Sequence, residues 1–219
     1  MKSRDEMMVA EVAGRKHDRI LDIGYAQYPI SELMKFGGEV YGVDLVEWPS
    51  PYTKTFICDL NNDALPFESE SIDAVTMGCT LAHLAKPLKL LAEVQRVLRP
   101  GGVLILTSPN PHYYWETVLN VFYNHFKKRV SKSKHIEHFF EFTRYTMRTS
   151  LERAGFTLVK ELGSTFHLVK FGWKFDVEKF PALAFEIIYV AEKTGEPDPY
   201  TIIEDANGDA IRLTTDLFS

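Results

Sequence analysis

The chain has 219 residues, 45% of them hydrophobic and 13% aromatic, which suits one folded core and excludes a wholly disordered chain. Its formal net charge is −5, from 25 Lys+Arg against 30 Asp+Glu, and an acidic balance argues against a nucleic-acid partner. Two cysteines, Cys58 and Cys79, are too few for a disulfide framework or a Cys-rich zinc site and fit a reducing, cytoplasmic setting.

The chain opens on Met1-Lys2-Ser3-Arg4-Asp5-Glu6, with acids where a secretion signal needs an apolar stretch. No run of 18 apolar residues follows, so no transmembrane helix is expected. Arg19–Ile23 reads as a strand running into a turn at Gly24. Pro29 opens a helix-like stretch to Phe36 that Gly37-Gly38 stops. Glu39–Val43 reads as a second strand ending at Asp44, Lys54–Cys58 as a third ending at Asp59, and Ile72–Met77 as a fourth ending at Gly78. Leu88–Leu98 has helical spacing and stops at Arg99-Pro100-Gly101-Gly102. Val103–Thr107 is apolar enough to be a central strand of a parallel sheet.

The second half differs. Residues 112–128 are aromatic-rich, and Lys127, Lys128, Arg129, Lys132 and Lys134 form a basic stretch. Those cations read as a solvated face or as a phosphate site for a nucleotide- or lipid-linked sugar. Thr143–Ala154 reads as a helix with Thr143 as its N-cap and Gly155 as its stop. Phe156–Leu162 and Ala184–Ala191 read as strands. The tail has a hairpin pattern around Asn207-Gly208, an added ribbon or a surface for a second copy of the chain. Alternating strands and helices argue for a parallel sheet covered on both faces, which binds ligands at the carboxyl ends of its strands. That rule makes Asp22, Gly24, Asp44, Asp59 and Gly78 a candidate site.

The order of these segments resembles the class I S-adenosylmethionine-dependent methyltransferases over roughly residues 15–193. Ile20-Leu21-Asp22-Ile23-Gly24 resembles the first motif of that family, and Val40–Leu45 its second strand with a ribose-binding acid. Cys58-Asp59-Leu60 with Leu65-Pro66-Phe67 is similar to the adenine-reading region, and Ser71–Val75 with Leu81–Leu84 to the fourth strand and its turn. Val97–Leu104 carries the most recognisable stretch, and His138, Phe142, Thr143 and Leu151–Phe156 resemble a later segment of small-molecule and sugar methyltransferases.

The resemblance implies an α/β fold: a doubly wound, seven-stranded, mostly parallel sheet with its last strand antiparallel. That strand is expected at Phe185–Val190, paired with the strand after Gly155. A methyltransferase domain is expected over 1–195, with a helical lid at about 109–142 and a hairpin-like extension at 196–219. The implied cofactor is S-adenosyl-L-methionine, leaving S-adenosyl-L-homocysteine, held by Asp22, Gly24, Tyr25, Ala26, Asp44, Leu45, Asp59, Leu60 and Gly78. Asp44 would bind the ribose and Asp59 the adenine amino group, although Asp59 also suits a plain turn before Asn61-Asn62-Asp63.

The glycine-rich loop expected after Gly24 is replaced by Tyr25-Ala26-Gln27-Tyr28, so Tyr25 either packs over the cofactor or the site is weakened. Asp22 either holds this loop or reaches the amino-acid end of the cofactor. His138 and His112 are the candidate bases, with a structural role for His138 as the alternative. Cys79 and His83 read as packing residues, and His135-x-x-His138 lacks a third ligand for a metal.

The implied reaction moves the methyl group to a small acceptor, with a hydroxyl of a sugar or surface-polysaccharide precursor as the first reading. The alternative is a non-catalytic binding protein with a degenerate glycine loop. A nucleic-acid or protein methyltransferase is disfavoured by the charge and by Gly78-Cys79-Thr80-Leu81 after the fourth strand. A dehydrogenase would need Gly-x-Gly-x-x-Gly after the first.

Overall fold

The computed structural model describes residues 2–26, 28–113, 140–164, 166–168, 173–175, 177–198, 200–204 and 210–214. The chain begins with a helix absent from the sequence expectations, α1 (Arg4–Ala13). Ser3 and Glu6 form its capping box: the Ser3 hydroxyl accepts from Glu6 N–H, and the Glu6 carboxylate accepts from Ser3 N–H. Met7, Met8 and Val12 place one face of α1 in the core.

Seven strands follow: β1 (His17–Ile23), β2 (Gly37–Asp44), β3 (Lys54–Ile57), β4 (Ile72–Gly78), β5 (Leu98–Pro109), β6 (Phe156–Gly163) and, later in the chain, β9 (Glu186–Lys193). They form one sheet in the order β3-β2-β1-β4-β5-β9-β6. The first five pair in parallel, and β9 runs antiparallel between β5 and β6. This is the expected doubly wound sheet with its last strand reversed. Two antiparallel ribbons complete the elements, β7 (Phe166–Leu168) with β8 (Trp173–Phe175), and β10 (Tyr200–Glu204) with β11 (Ala210–Thr214). The last pair is the hairpin-like tail.

One face of the sheet is covered by α2 (Pro87–Val97) and α3 (Arg144–Arg153). Leu90, Leu91, Val94 and Val97 recur at helical spacing and bury against Leu21, Ile23, Val75 and Leu104. Each such side chain contributes about 1.5–3 kcal/mol. Thr143 caps α3, its hydroxyl accepting from Thr146 N–H at 3.1 Å. The opposite face is covered by α1, Ile30, Leu33, Tyr25 and Tyr52 against Ile20, Val40, Ala74 and Ile105.

The helix expected from Pro29 to Phe36 is a single 3₁₀ turn, Ser31–Lys35. The reason is length. Ile30 is tied by its N–H to the Tyr52 hydroxyl at 2.8 Å, and β2 already starts at Gly37. Gly37-Gly38 therefore open a strand. A Cβ on Gly37 would sit 2.8 Å from Ile20 Cδ1, so the close approach of β2 to β1 requires glycine there.

Candidate functional site

The carboxyl ends of β1, β2, β3 and β4 lie side by side and carry the predicted residues. β1 runs into Gly24, whose φ is +70° and whose N–H continues the sheet to Val43 O at 2.8 Å. A Cβ on Gly24 would overlap the Thr80 hydroxyl, which donates to Ile23 O at 3.1 Å. Glycine is thus demanded twice, by the backbone conformation and by Thr80.

Asp44 closes β2, and its carboxylate is half used. Oδ2 accepts from Ala26 N–H at 2.9 Å, and Oδ1 accepts from Val46 N–H at 3.3 Å. A carboxylate offers about four acceptor positions, so about two remain, the number that a pair of vicinal hydroxyls needs. Ala26 holds a left-handed φ of +46° and is exposed, which presents its N–H to Asp44. Leu45 is 64% exposed and Ile57, at the end of β3, is 66% exposed. Apolar side chains this open beside a polar strand end suit the flat face of a heterocycle.

Asp59 shapes its own loop. Oδ1 accepts from Asn61 N–H at 3.0 Å and Oδ2 from Asn62 Nδ2 at 2.8 Å, and the backbone bond heads the causes that hold its carboxyl below the ordinary range. It is thus the turn former that the sequence allows, and it keeps acceptor capacity toward a ligand. Leu60 is buried in the core, so its side chain is not part of the cleft.

Tyr25 and Asp22 both lie in the core. The Tyr25 ring is 4% exposed and packs edge-on to Tyr52 at 5.6 Å between centroids. Its hydroxyl accepts from Trp48 N–H at 3.2 Å. It belongs to the core beneath the loop and does not lie over the cleft. Gly42 makes room for it: a Cβ there would come within 2.8 Å of Tyr52 and 2.9 Å of Tyr25. The aromatic pair fills the face left open by the short 3₁₀ connection.

Asp22 is 2% exposed, and its oxygens accept from the Tyr52 hydroxyl at 2.5 Å and the Thr76 hydroxyl at 2.6 Å. Of the two roles expected for Asp22, holding the loop fits this geometry, through Tyr52 and Ile30 N–H. Burial pushes its pKa up to about 6 despite those hydrogen bonds.

At the end of β4, Gly78 leads into Cys79, which adopts a left-handed φ of +55°. The Cys79 thiol donates to Glu186 Oε1 at 2.8 Å, and the Thr107 hydroxyl donates to the same oxygen at 2.8 Å. Burial, then the Glu186 charge, push the Cys79 thiol up to about 12, which removes it as a nucleophile.

Further along, Asn110 is 1% exposed and organises the rim. Its Nδ2 donates to Ala182 O and Ala184 O, and its Oδ1 accepts from His112 N–H. His112 is exposed on that turn. Tyr113 packs edge-on to Phe185 at 5.5 Å, with Phe180 and Leu183 exposed nearby in the chain. Phe140 N–H donates to Ala82 O beyond β4. His138, the basic stretch and most of the expected lid lie outside the described residues.

The sequence reading missed Thr80, Thr107, Asn110, Tyr52, Arg4 and Glu186. Glu186 had a signal, a charged residue at the head of the apolar run Ile187–Ala191. Among the described residues no group of His, Cys, Asp and Glu could hold a metal, and no helix is long and apolar enough to cross a membrane.

Residues 21–106 match a family profile described as "Methyltransferase domain". A demethylmenaquinone methyltransferase from Symbiobacterium thermophilum is 30% identical over 136 residues, 51% of this chain and 54% of that protein. A ubiquinone biosynthesis O-methyltransferase from Roseobacter denitrificans is 26% identical over 172 residues, 71% of this chain and 66% of that one. The chain thus spans about half the length of the demethylmenaquinone enzyme it matches. Among solved structures, the 1,6-didemethyltoxoflavin-N1-methyltransferase of Burkholderia thailandensis, with bound S-adenosylhomocysteine, superposes with a TM-score of 0.58 at 19% identity. That match covers 87% of this chain and 78% of that one.

Proposed function

We propose, from the premise that this chain is built on the class I S-adenosylmethionine-dependent methyltransferase fold, that it transfers a methyl group from S-adenosylmethionine to a small acceptor. One observation carries the reading. Asp44, Gly24 and Gly78 end three neighbouring strands, β2, β1 and β4, and Asp44 keeps the acceptor positions that a ribose would fill. The fit to the cofactor is good at the adenosyl end, with Leu45 and Ile57 open beside Asp44 and with Asp59 behind them in the chain.

When bound, the cofactor supplies an electrophilic methyl carbon and a neutral thioether leaving group. The chain's own residues then bind and orient. Asp44, held in place by the Ala26 N–H, fixes the adenosyl end, Gly24 allows close backbone approach, and Thr80 locks the turn. Orientation of this kind can be worth about 7–11 kcal/mol in the best cases. His112, exposed on the turn after β5, is the described candidate to take a proton from an acceptor hydroxyl, and His138 is the other candidate.

Two acceptor classes suit the Tyr113–Phe185 rim. A sugar hydroxyl of a polysaccharide precursor is supported by the sequence likeness around His138–Phe156, and a quinone-type ring by the names of the two relatives, of which the ubiquinone biosynthesis enzyme is an O-methyltransferase. The domain is drawn at 1–195 with a lid at 109–142, and 196–219 as an extension that could pair two copies. A cytoplasmic setting is supported by two free cysteines.

The test is formation of S-adenosylhomocysteine from S-adenosylmethionine, with a naphthoquinol and with a sugar nucleotide as separate acceptors. Turnover with either one supports methyl transfer and selects the acceptor class. Cofactor binding without turnover on either or on wider hydroxyl panels supports the non-catalytic alternative.

A further inference from the structure

β2 and β3 run parallel, and a parallel crossover usually carries a helix. Residues 45–53 make this crossover without one, because Pro49 and Pro51 bracket Ser50 and bar helical backbone. Beside it lies a cleft of about 500 Å³, with Glu47, Trp48, Ser50, Tyr52, Lys54 and Thr55 in its lining. Two of these residues are held rigidly. Tyr52 is buried, its ring set edge-on to Tyr25 and its hydroxyl spent on Asp22 and on Ile30 N–H. Trp48 packs against the same core cluster, and its backbone N–H and C=O both bond the Tyr25 hydroxyl. The polar groups around them are unspent. Among the described residues the Trp48 indole N–H, the Glu47 carboxylate and the Ser50 and Thr55 hydroxyls have no hydrogen-bond partner. Lys54 Nζ rests over the Phe56 ring, 4.6 Å from its centroid.

We propose that this cleft is a saccharide-binding site, separate from the site of methyl transfer. Its lining selects the ligand by elimination. Glu47 repels an anion and Lys54 repels a cation, so a charged ligand of either sign meets its like. An apolar ligand would take water from the unspent polar groups and return no hydrogen bond. A neutral sugar ring meets both demands. Its C–H face suits an aromatic wall, and its hydroxyls, each a donor and an acceptor, match a carboxylate, an indole N–H and two hydroxyls. The volume is that of a small-ligand site. The cleft stands at the β3 edge, whereas the Tyr113–Phe185 rim lies beyond β5. Four strand spacings separate β3 from β5, about 19 Å at about 4.8 Å each. A ring bound here is therefore held without being methylated, and the site stands independently of the cofactor reading.

The test is a saturation-transfer NMR titration of the full chain. The neutral probes are maltose, cellobiose and lactose, and the charged ones are glucose 6-phosphate and tetramethylammonium. At least one neutral probe is expected to bind with a Kd of about 1 mM, weak because an open cleft buries few ligand atoms. Trp48→Ala is expected to weaken that binding about tenfold or more, and Glu47→Gln about fivefold. Glu47 is exposed, so Glu47→Gln keeps its unfolding temperature and decides the matter even where Trp48→Ala fails to fold. No binding of any neutral probe at about 50 mM overturns the site. Unchanged affinity in folded Glu47→Gln also overturns it, and so does tighter binding of either charged probe. A protein that binds a neutral probe in this Glu47-dependent way but binds no S-adenosylhomocysteine supports the site and contradicts the cofactor reading alone.

Discussion

Replacing Asp22 with Asn removes the buried carboxyl that ties Tyr52 and Thr76 to β1, and the consequence depends on pH in a way that can be worked out. In the folded protein burial raises the Asp22 pKa from 3.8 to about 6. Below about 3.8 the group is neutral whether folded or unfolded. Between about 3.8 and 6 the unfolded chain loses the proton and the folded chain keeps it, so stability falls as pH rises through this window. The interval of about two pH units corresponds to about 3 kcal/mol, at about 1.4 kcal/mol per unit.

Asn is the same shape and does not titrate, so the Asp22→Asn protein lacks this contribution. It is less stable than the unaltered protein at pH 4, where a neutral carboxyl and two hydroxyls share their protons well. Most of that deficit closes by pH 7. His17 bends the absolute curves the other way, because burial lowers its pKa and stability is lost as pH falls through its unfolded value. That contribution is common to both proteins and cancels in the difference. Urea unfolding of both proteins at half-unit steps from pH 4 to 7 reads the difference directly. Parallel curves would refute the reasoning, since Asp22 would then titrate alike in both states.

Gly24→Ala places a Cβ on the Thr80 hydroxyl at a φ of +70°, and should destabilise by about 1–3 kcal/mol in urea unfolding. Thr143→Ala removes the hydroxyl that caps α3 and should cost about 1 kcal/mol, read the same way. Burial pushes the Cys58 and Cys79 thiols up to about 11 and about 12, so iodoacetamide at pH 8 should label neither in the folded protein and both in urea. Rapid native labelling of either thiol contradicts its placement.

Much of the sheet is legible in the sequence because its strands are short apolar runs that end in Asp or Gly. β1, β4 and β5 are flanked on both sides, so apolar residues run through them without alternation and stand out. The 3₁₀ turn at Ser31–Lys35 is less legible, because its shortness comes from a tertiary bond between Ile30 and Tyr52, distant in sequence. α1 carried a readable sign, the Ser-x-x-Glu of its capping box, which an opening rich in charge obscured.

The site divides in the same way. Asp44 and Gly24 sit at strand ends, where position follows from topology. Tyr25 is less legible, because a side chain next to a turn glycine can face the cleft or the core. Its direction is decided by Gly42 and Tyr52 on other segments. That Arg4 and Glu186 meet is not legible, since they come together only through the packing of α1 against the reversed strand β9.

The central claim is that the strand ends around Asp44 hold S-adenosylmethionine. Calorimetric titration of the cofactor into the unaltered protein and into Asp44→Ala tests it most directly. Micromolar binding is expected of the former, and the loss of two charge-assisted hydrogen bonds at about 1.5–3 kcal/mol each predicts affinity lower by about a hundredfold or more in the latter. Equal affinity in the two folded proteins, or no binding by either at millimolar cofactor, would contradict the account.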